Sequence, residues 1–377
     1  MSVSADTVDI VVKAGAATPQ AVTREFIDAI QSVSVRQLDN GTSTFQLVLD
    51  ANQPEKDVAD FPVIAGTEVA PGNRFKIAVE IGSSQRGLID GVVVHHELNY
   101  DSSSGMFSFS VIGEDLSFYM RQEEKAAEWP GRSSAQIARE IIGNYSQFGL
   151  SSKIVTPSND VTPTVEQWVR QQNSTDLSFL RALGRQFGYI FTIQPGKTLD
   201  AQTTGYWGPP PRDGTPLPTL AVEMGSSSNV MALDFAYDAA AAEVYAGGSR
   251  VDADTFASST VKSASAFALA QFATSGSLSS PLLRTRRFVE PNLSGTLAGA
   301  YADALAQTSS RSALRVRAVV DGAIYTTAVT PCSVIGLRGA GKTFDGSYYV
   351  ERVDHMFSRG AYSQAIVLTR EGVGSTA

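Results

Sequence analysis

The stretch from residue 336 to residue 370 constrains the fold more than any other, because its two parts favour different structures. The phosphate-loop pattern G-x-x-x-x-G-K-[ST] is satisfied here by Gly336, Gly341, Lys342 and Thr343. In a nucleotide-binding loop the Lys-Thr pair opens a helix, because the phosphates bind the free N–H groups of its first turn. In this chain the pair leads instead into Phe344-Asp-Gly and a strand-like run at 348–350.

We interpret the pattern as a Gly-rich turn between two strands. Only 34 residues follow Thr343, too few for the αβ units that would supply a Mg²⁺-binding aspartate. The sequence therefore predicts no nucleotide site. We likewise expect no catalytic residue, no metal and no cofactor.

Composition and charge exclude several other classes. The chain has 377 residues, which favours about two to four structural units. Its net charge is −8, so a basic surface of the nucleic-acid-binding kind is not expected. No window approaches the ~18 continuous apolar residues that cross a membrane, and the first residues are not typical of a signal peptide.

Alternating apolar residues predict a β-rich N-terminal part. Asn40-Gly41 separates two alternating runs, 30–39 and 43–50, which is a strong hairpin signal. Further alternation covers 74–81, 87–100 and 106–113. The first ~115 residues are therefore expected to close into a barrel or sandwich.

The pattern then changes to helical spacing. Ser133-Ser-Ala-Gln136 is a capping box that opens a predicted helix through Tyr145, and Asn173-Ser-Thr-Asp176 caps a second helix that stops at Gly188. A strand is expected at 189–193, a linker at 195–220, and a third helix at about 295–309. Residues 252–280 are Ser/Ala-rich, with one short helix expected at 264–272.

The two ends of the chain carry an internal echo. Asp90-Gly91 and Asp345-Gly346 each precede an apolar run, and each first glycine is followed 14 residues later by another, Gly105 or Gly360. Phe107 and Val111 match Tyr362 and Ile366 at the same spacing of 255 residues. The echo predicts two similar strand–turn–strand units, each led by an Asp-Gly turn.

The remaining chemical candidates are weak. His95 and His96 are adjacent and so face opposite sides of a strand, which does not suit a two-ligand metal clamp. Cys332 is expected to be a small buried hydrophobe, and Arg284-Thr-Arg286-Arg287 an ordinary solvated face or interface. Three carboxylate pairs are consistent with a glycosidase but are better interpreted as solvated charge: Glu123 and Glu124, Asp252 and Asp254, and Glu351 and Asp354.

Several segments together resemble the phage late-control D protein, the tail baseplate hub family, which is related to the hub half of type VI secretion valine-glycine-repeat spike proteins. The segments that carry the resemblance are Gly87-Leu-Ile-Asp-Gly91, Gly113-Glu-Asp-Leu116, 133–145, 171–191, 344–355 and 360–370. The resemblance implies a β-rich α+β chain with two β-barrels and an inserted small α/β unit. It places the first barrel at 1–120, the insert at 121–205 and the second barrel region at 206–377.

The resemblance also implies an assembly. Hubs of this family are homotrimers whose barrels form a pseudo-sixfold ring between a sixfold tail tube and a threefold spike. The expected partners are a tail tube or tube-initiator protein, a separate spike protein and baseplate wedge proteins. DNA or effectors would pass through the lumen without specific binding, and no membrane is involved. The expected place is the virion tail baseplate or an injection particle assembled in the host cytoplasm.

Two other classes remain open. A tail-associated cell-wall hydrolase or an NTPase would use the carboxylates or the Lys342 loop. A β-rich receptor-binding tail-tip protein would use exposed aromatic residues such as Tyr206-Trp207.

Overall fold

β-strands dominate the chain, as the alternation predicts. The computed structural model describes residues 7–16, 18–51, 61–165, 169–251, 258–263, 272–274, 282–288 and 295–375. The strands before the inserted unit are β1 Val8–Gly15, β2 Gln20–Ala21, β3 Ile30–Leu38, β4 Thr44–Ala51, β5 Arg74–Ile81, β6 Ser84–Asp101 and β7 Met106–Asp115. The inserted unit holds β8 Glu124–Trp129, β9 Leu150–Ile154, β10 Arg170–Thr175, β11 Ile190–Gln194 and β12 Thr203–Gly208.

The C-terminal part supplies the remaining strands. They are β13 Leu217–Ala221, β14 Val230–Tyr237, β15 Glu243–Val251, β16 Ser258–Lys262, β17 Arg284–Arg287, β18 Leu314–Asp321, β19 Val334–Arg338, β20 Gly346–Ser358 and β21 Ala361–Arg370. The helices are α1 Arg24–Ala29, α2 Pro62–Ala65, α3 Ser134–Gly143, α4 Asp176–Arg185, α5 Gly295–Ser310 and α6 Gly322–Tyr325. Among the described helices, none is long and apolar enough to cross a membrane.

One 13-stranded sheet contains strands from both ends of the chain. Its main path runs β14-β18-β21-β20-β3-β4-β7-β6-β5-β1-β2, with β19 pairing both β20 and β13. The sheet packs against two separate cores because each half buries one set of alternating side chains. Residues buried in the first core include Leu47, Leu49, Phe75, Ile77 and Val111. Residues buried in the second core include Val316, Leu337, Tyr348, Val350 and Leu368.

The inserted unit has its own core. The capping box at Ser133 is present, and the predicted first helix is confirmed as α3. In the second helix Thr175, not Asn173, accepts the hydrogen bond of the first turn, because the preceding residues pair in β10 with β8. Gly188 takes a left-handed conformation with φ +66°, as expected for a helix stop.

The predicted linker at 195–220 is partly wrong. Residues 203–208 form β12, which pairs antiparallel with β11 and parallel with β9. Trp207 is buried in the core of the inserted unit, and its indole N–H donates to the Leu180 carbonyl oxygen at 3.1 Å. Tyr206 is also buried, so this aromatic pair is not the exposed binding surface that the receptor-binding hypothesis requires. The strand also runs across the boundary expected between residues 205 and 206.

The third predicted helix is confirmed as α5. It packs beside a small sheet in which β15 lies between β16 and β17. The arginines of β17 are exposed, and Arg286 pairs with Glu243 at 2.9 Å, as expected for a solvated face. The short helix expected at 264–272 falls almost wholly outside the described residues.

Candidate functional site

The two halves of the sheet are joined edge to edge by β20 and β3. The pairing is antiparallel and runs from Arg352 opposite Leu38 to Ser358 opposite Ser32. On the solvent side Arg36 Nε lies 2.7 Å from the Asp354 carboxylate. We call this paired edge the internal junction.

A buried polar network crosses the internal junction. His355 Nδ1 lies 2.9 Å from the hydroxyl of Tyr362, and its Nε2 lies 3.0 Å from Gln37 Oε1. The Gln37 amide in turn donates to the Leu88 carbonyl oxygen at 2.5 Å. His355, Gln37 and Tyr362 are all buried, so each polar group needs the partner it has here.

The electrostatics of the internal junction follow from this burial. Desolvation lowers the pKa of His355 to about 3; the charge of Asp354 opposes this lowering, and the charge of Arg86 adds to it. The imidazole is therefore neutral at physiological pH and acts as a hydrogen-bonding link. At the end of β3, desolvation and the charge of Glu351 raise the pKa of Asp39 to about 7.

The two halves of the sheet repeat the same strand order. Reading across each half gives β3-β4-β7-β6-β5-β1 in the first and β14-β18-β21-β20-β19-β13 in the second. β7 and β21 have the same length and lie at the spacing of the sequence echo. In these strand orders, the two halves differ only in the direction of the last pairing. β1 pairs antiparallel with β5, whereas β13 pairs parallel with β19.

Two irregularities in the strands of the first half recur at equivalent places in the second. β6 has a register shift against β7 between Val93 and His95, and β20 has one against β21 between Val350 and Arg352. β3 shifts against β4 between residues 30 and 32, and β14 against β18 between residues 230 and 232. β-bulges bend a strand locally, so a bend is expected at each of these two places in both halves.

One part of the echo prediction is wrong. Asp345-Gly346 does lead into β20, but Asp90 and Gly91 lie inside β6. The Asp90 carboxylate is buried and accepts two hydrogen bonds from Arg74, each at 2.6 Å. Gly91 is required by close packing, since a Cβ there would lie 2.3 Å from the Glu114 carbonyl oxygen. The second glycines, Gly105 and Gly360, lie in the turns between the paired strands, where both adopt a left-handed conformation.

The repeat identifies two strand edges that correspond to the two edges joined at the internal junction. The equivalent of the β20 edge at 352–358 is the β6 edge at 95–101, and the equivalent of β3 is β14. Among the described strands, neither the 95–101 edge nor the outer edge of β14 has a partner. We call these two edges the open edges.

Two side chains at the internal junction are buried, whereas the equivalent side chains on the open edge of β6 are exposed. Leu98 and His355 occupy equivalent positions when the β6–β7 hairpin is compared with the β20–β21 hairpin, and so do Tyr100 and Phe357. His355 and Phe357 are 0% and 9% exposed, whereas Leu98 and Tyr100 are 45% and 57% exposed. An apolar strand edge of this kind is a template for pairing with another chain.

The phosphate-loop residues lie at the end of β19 and in the turn before β20. Three N–H groups of this turn have partners within the turn. The Ala340 N–H donates to the Asp345 carboxylate at 2.8 Å, and the Phe344 and Asp345 N–H groups donate to the Gly341 carbonyl oxygen at 2.9 and 2.8 Å. Gly336 is in β19, Lys342 and Thr343 are exposed, and a strand follows them. The absence of nucleotide binding remains a prediction.

The other candidate residues are not brought together. His95 is exposed, and the His96 ring contacts the Val69 carbonyl oxygen at 2.7 Å. Within the described ranges, no group of histidine, cysteine and acidic residues could hold a metal ion. Glu123 and Glu124 are exposed, as expected, while Asp252 and Asp254 lie outside the described residues.

Two of the sequence interpretations need correction. Asp354 is not simply solvated, because its carboxylate pairs with Arg36 and Arg352 at the internal junction. Glu351 pairs with Arg315 at 2.9 Å. Cys332 is half-buried and not fully buried because it lines a cavity. Desolvation nevertheless raises the pKa of its thiol to about 12.

One known protein family and several solved structures are similar to this chain. The sequence profile of the Alg8 N-terminal domain matches residues 5–359. The chain belongs to the Alg8 N-terminal domain family. A search of the curated proteins gives no match.

Solved structures resemble this member of the Alg8 N-terminal domain family over most of its length. The tail protein from Neisseria meningitidis has a TM-score of 0.66 at 13% identity, covering 97% of this chain and 98% of that one. The 43 kDa tail protein of prophage MuSo2 from Shewanella oneidensis has a TM-score of 0.61 at 14% identity, covering 96% and 98%.

A third similar structure is the E. coli c3393 protein, described as a component of the type VI secretion system with structural similarity to the T4 tail proteins gp27 and gp5. It has a TM-score of 0.54 at 13% identity and covers 92% of this chain and 76% of that one. At such identities the likeness shows a shared fold.

Proposed function

We propose that the chain is the structural hub of a contractile tail or phage-like injection machine. In this proposal three copies form a ring of six similar β units. The ring adapts a sixfold tail tube to a threefold spike and surrounds the central channel. The observation that carries the proposal is the repeated strand order with one internal junction and two open edges. Tail proteins and a type VI secretion component among the similar structures support it.

The geometry of the ring follows from the repeat. Within the chain, β20 of the second half pairs with β3 of the first. Between chains, β6 of one copy would pair with β14 of the next in the same antiparallel register. This contact is heterologous, because two different edges meet, and a heterologous contact whose rotation closes gives a ring. Threefold closure would bring together six units from three chains.

The register gives specific contacts. Transferring the internal pairing places Leu98 opposite Phe235 and Tyr100 opposite Leu233 of the neighbouring copy. These side chains would be covered as His355 and Phe357 are covered within the chain. Apolar burial stabilises association by about 25 cal/mol per Å² before the costs of binding.

The proposed partners act on the ring as a whole. A tail tube or tube-initiator protein would bind one face, a separate spike protein the other, and baseplate wedge proteins the rim. DNA or effectors would pass without specific binding, for which the net charge of −8 is suitable. The finer identification as a late-control D protein and the place in a tail baseplate are parts of this proposal. The role is structural and not enzymatic.

A disulfide test addresses the inter-chain register. The register places residue 97 opposite residue 236 of the next copy, so Glu97→Cys with Ala236→Cys positions two thiols for cross-linking. Under oxidising conditions we expect covalent species up to three copies of the 40.1 kDa chain, about 120 kDa. Each single variant is a control, and Ala236→Cys with Asp9→Cys on the exposed part of β1 is a matched mispaired control.

The decisive results are a specific cross-link and an axial image. Equal cross-linking in the mispaired control would contradict the proposed edges. Electron microscopy down the particle axis should show six similar lobes from three chains. A particle without such a ring would overturn the hub proposal.

A further inference from the structure

A cavity of about 310 Å³ lies between the two halves of the sheet and the inserted unit. Its lining comes from the end of β3, the start of β6, β11 with the turn after it, and the loop before β19. This volume is at the lower end of the range of small-ligand pockets, about 300–1,000 Å³. The cavity is separate from the open edges and plays no part in the proposed ring contacts.

The cavity wall carries a guanidinium without a carboxylate partner. Arg86 lies on its lining, and in the described part of the chain no carboxylate oxygen is within ion-pair distance of it. Its Nη2 donates to the Thr330 hydroxyl at 3.0 Å. A guanidinium has several more N–H donors, and partial burial lowers the pKa of Arg86. A partly buried cation in this state is stabilised by an anion that completes its hydrogen bonds.

Thr330 and Lys197 add hydrogen-bond donors that an anion could use. Because the Thr330 oxygen accepts from Arg86, its own hydroxyl proton is available to another acceptor. Lys197 stands at the exposed rim and is the other charged residue of the lining. Both charged side chains in the described lining are therefore cationic, in a chain whose net charge is −8.

We infer that this cavity binds a small oxyanion, a phosphate or carboxylate group of a molecule that fits its volume. Arg86 would hold the anion by charge-assisted hydrogen bonds, Thr330 would donate one more, and Lys197 would attract the anion at the rim. Arginine suits such a ligand because its planar donors match the oxygens of phosphate and carboxylate.

Calorimetric titration of the full chain tests the site, with inorganic phosphate and succinate as separate probes at matched ionic strength. We expect at least one probe to bind with one site per chain. Arg86→Gln should weaken that binding by about tenfold or more. Lys197→Gln, at the exposed rim, should weaken it several-fold without affecting folding. The matched control is Arg359→Gln, an exposed arginine paired with Asp50, which should leave binding unchanged.

The two probes distinguish the ligand class. Binding of phosphate alone assigns a phosphate site, binding of succinate alone a carboxylate site, and binding of both a general oxyanion site. The inference is overturned if neither probe binds at millimolar concentration. It is also overturned if binding persists unchanged in folded Arg86→Gln and Lys197→Gln, or falls equally in Arg359→Gln.

Discussion

His355 Nε2 lies 3.0 Å from Gln37 Oε1, and this contact joins the two halves of the sheet inside the protein. Both residues are buried, so removing one partner would leave a buried polar group of the other unsatisfied. A slip of one residue between β20 and β3 would turn His355 to the opposite face of the sheet. The contact therefore specifies the register of the internal junction as well as stabilising it.

The buried histidine predicts a pH dependence of stability. Desolvation lowers the pKa of His355 to about 3 in the folded protein, against about 6.5 in an unfolded chain. Between these values the unfolded state binds a proton that the folded state does not. The free energy of unfolding should therefore fall as pH falls from about 6.5 toward 3, by up to about 1.4 kcal/mol per pH unit from this residue.

Two carboxyl groups change the free energy of unfolding with pH in the opposite direction, so the measurement needs a control. Desolvation raises the pKa of Asp39 to about 7 and that of Asp115 to about 6, so each favours folding at low pH and loses that contribution as pH rises. Comparing the parent with His355→Gln at each pH cancels both. The difference in unfolding free energy from urea titrations should change in the parent's favour as pH rises from about 4 to 6.5. A pH-independent difference would show that His355 titrates normally in the folded state.

A close contact between β6 and β7 predicts a second effect. A Cβ at Gly91 would lie 2.3 Å from the Glu114 carbonyl oxygen and 3.1 Å from the Phe45 ring. Gly91→Ala should therefore lower the free energy of unfolding by about 1–3 kcal/mol. Gly143→Ala at the end of α3 is the control, because a Cβ there meets nothing within 4 Å. It should be neutral or stabilising by up to about 1 kcal/mol. Equal effects on the melting temperature would contradict the packing argument.

The open edge of β6 predicts that assembly and stability respond separately. Leu98 and Tyr100 are 45% and 57% exposed, so Leu98→Lys with Tyr100→Lys should change monomer stability by less than about 0.5 kcal/mol per site. The same change should abolish trimers in sedimentation, because it places two charges against the apolar edge of β14. Met356→Lys, also exposed but on the internal hairpin, is the matched control and should still form trimers. Loss of trimers in both variants would not support the assigned edge.

Patterns with a local physical cause predicted much of the fold. The Asn40-Gly41 hairpin and the capping box at Ser133 are confirmed because turn chemistry and capping operate within a few residues. The third helix is confirmed because its apolar residues recur at helical spacing. The echo identified β7 and β21 as equivalent strands. The echo wrongly predicted a turn at Asp90-Gly91. Within β6, Asp90 instead forms a buried ion pair and Gly91 allows a close contact between strands.

The candidate site could not be predicted in the same way. The pairing of β20 with β3 joins residues about 320 positions apart, and no local pattern encodes such a contact. Gln37 is an ordinary polar residue of an alternating strand, and only its buried partners show its role. His355 gave a weak signal, since a histidine within an apolar strand is consistent with burial. Tyr206-Trp207 misled because an aromatic pair beside prolines also occurs in a buried strand.

The phosphate-loop pattern provides a final prediction, because one arginine fixes the turn that contains it. The Arg370 guanidinium is buried and donates to three carbonyl oxygens, those of Gly372 at 2.8 Å, Thr343 at 2.9 Å and Asp345 at 3.0 Å. Arg370→Met would leave these oxygens without their donor. We expect it to lower the free energy of unfolding by about 3 kcal/mol or more.

Lys342→Ala separates this structural role from nucleotide binding. Lys342 is exposed, so its replacement should change stability by less than about 0.5 kcal/mol. We expect the parent protein to show no ATP affinity in calorimetry, because the N–H groups of Ala340, Phe344 and Asp345 already donate within the turn. Measurable ATP binding that is lost in Lys342→Ala would refute this interpretation. The Gly-rich stretch would then be a nucleotide site despite the strand that follows it.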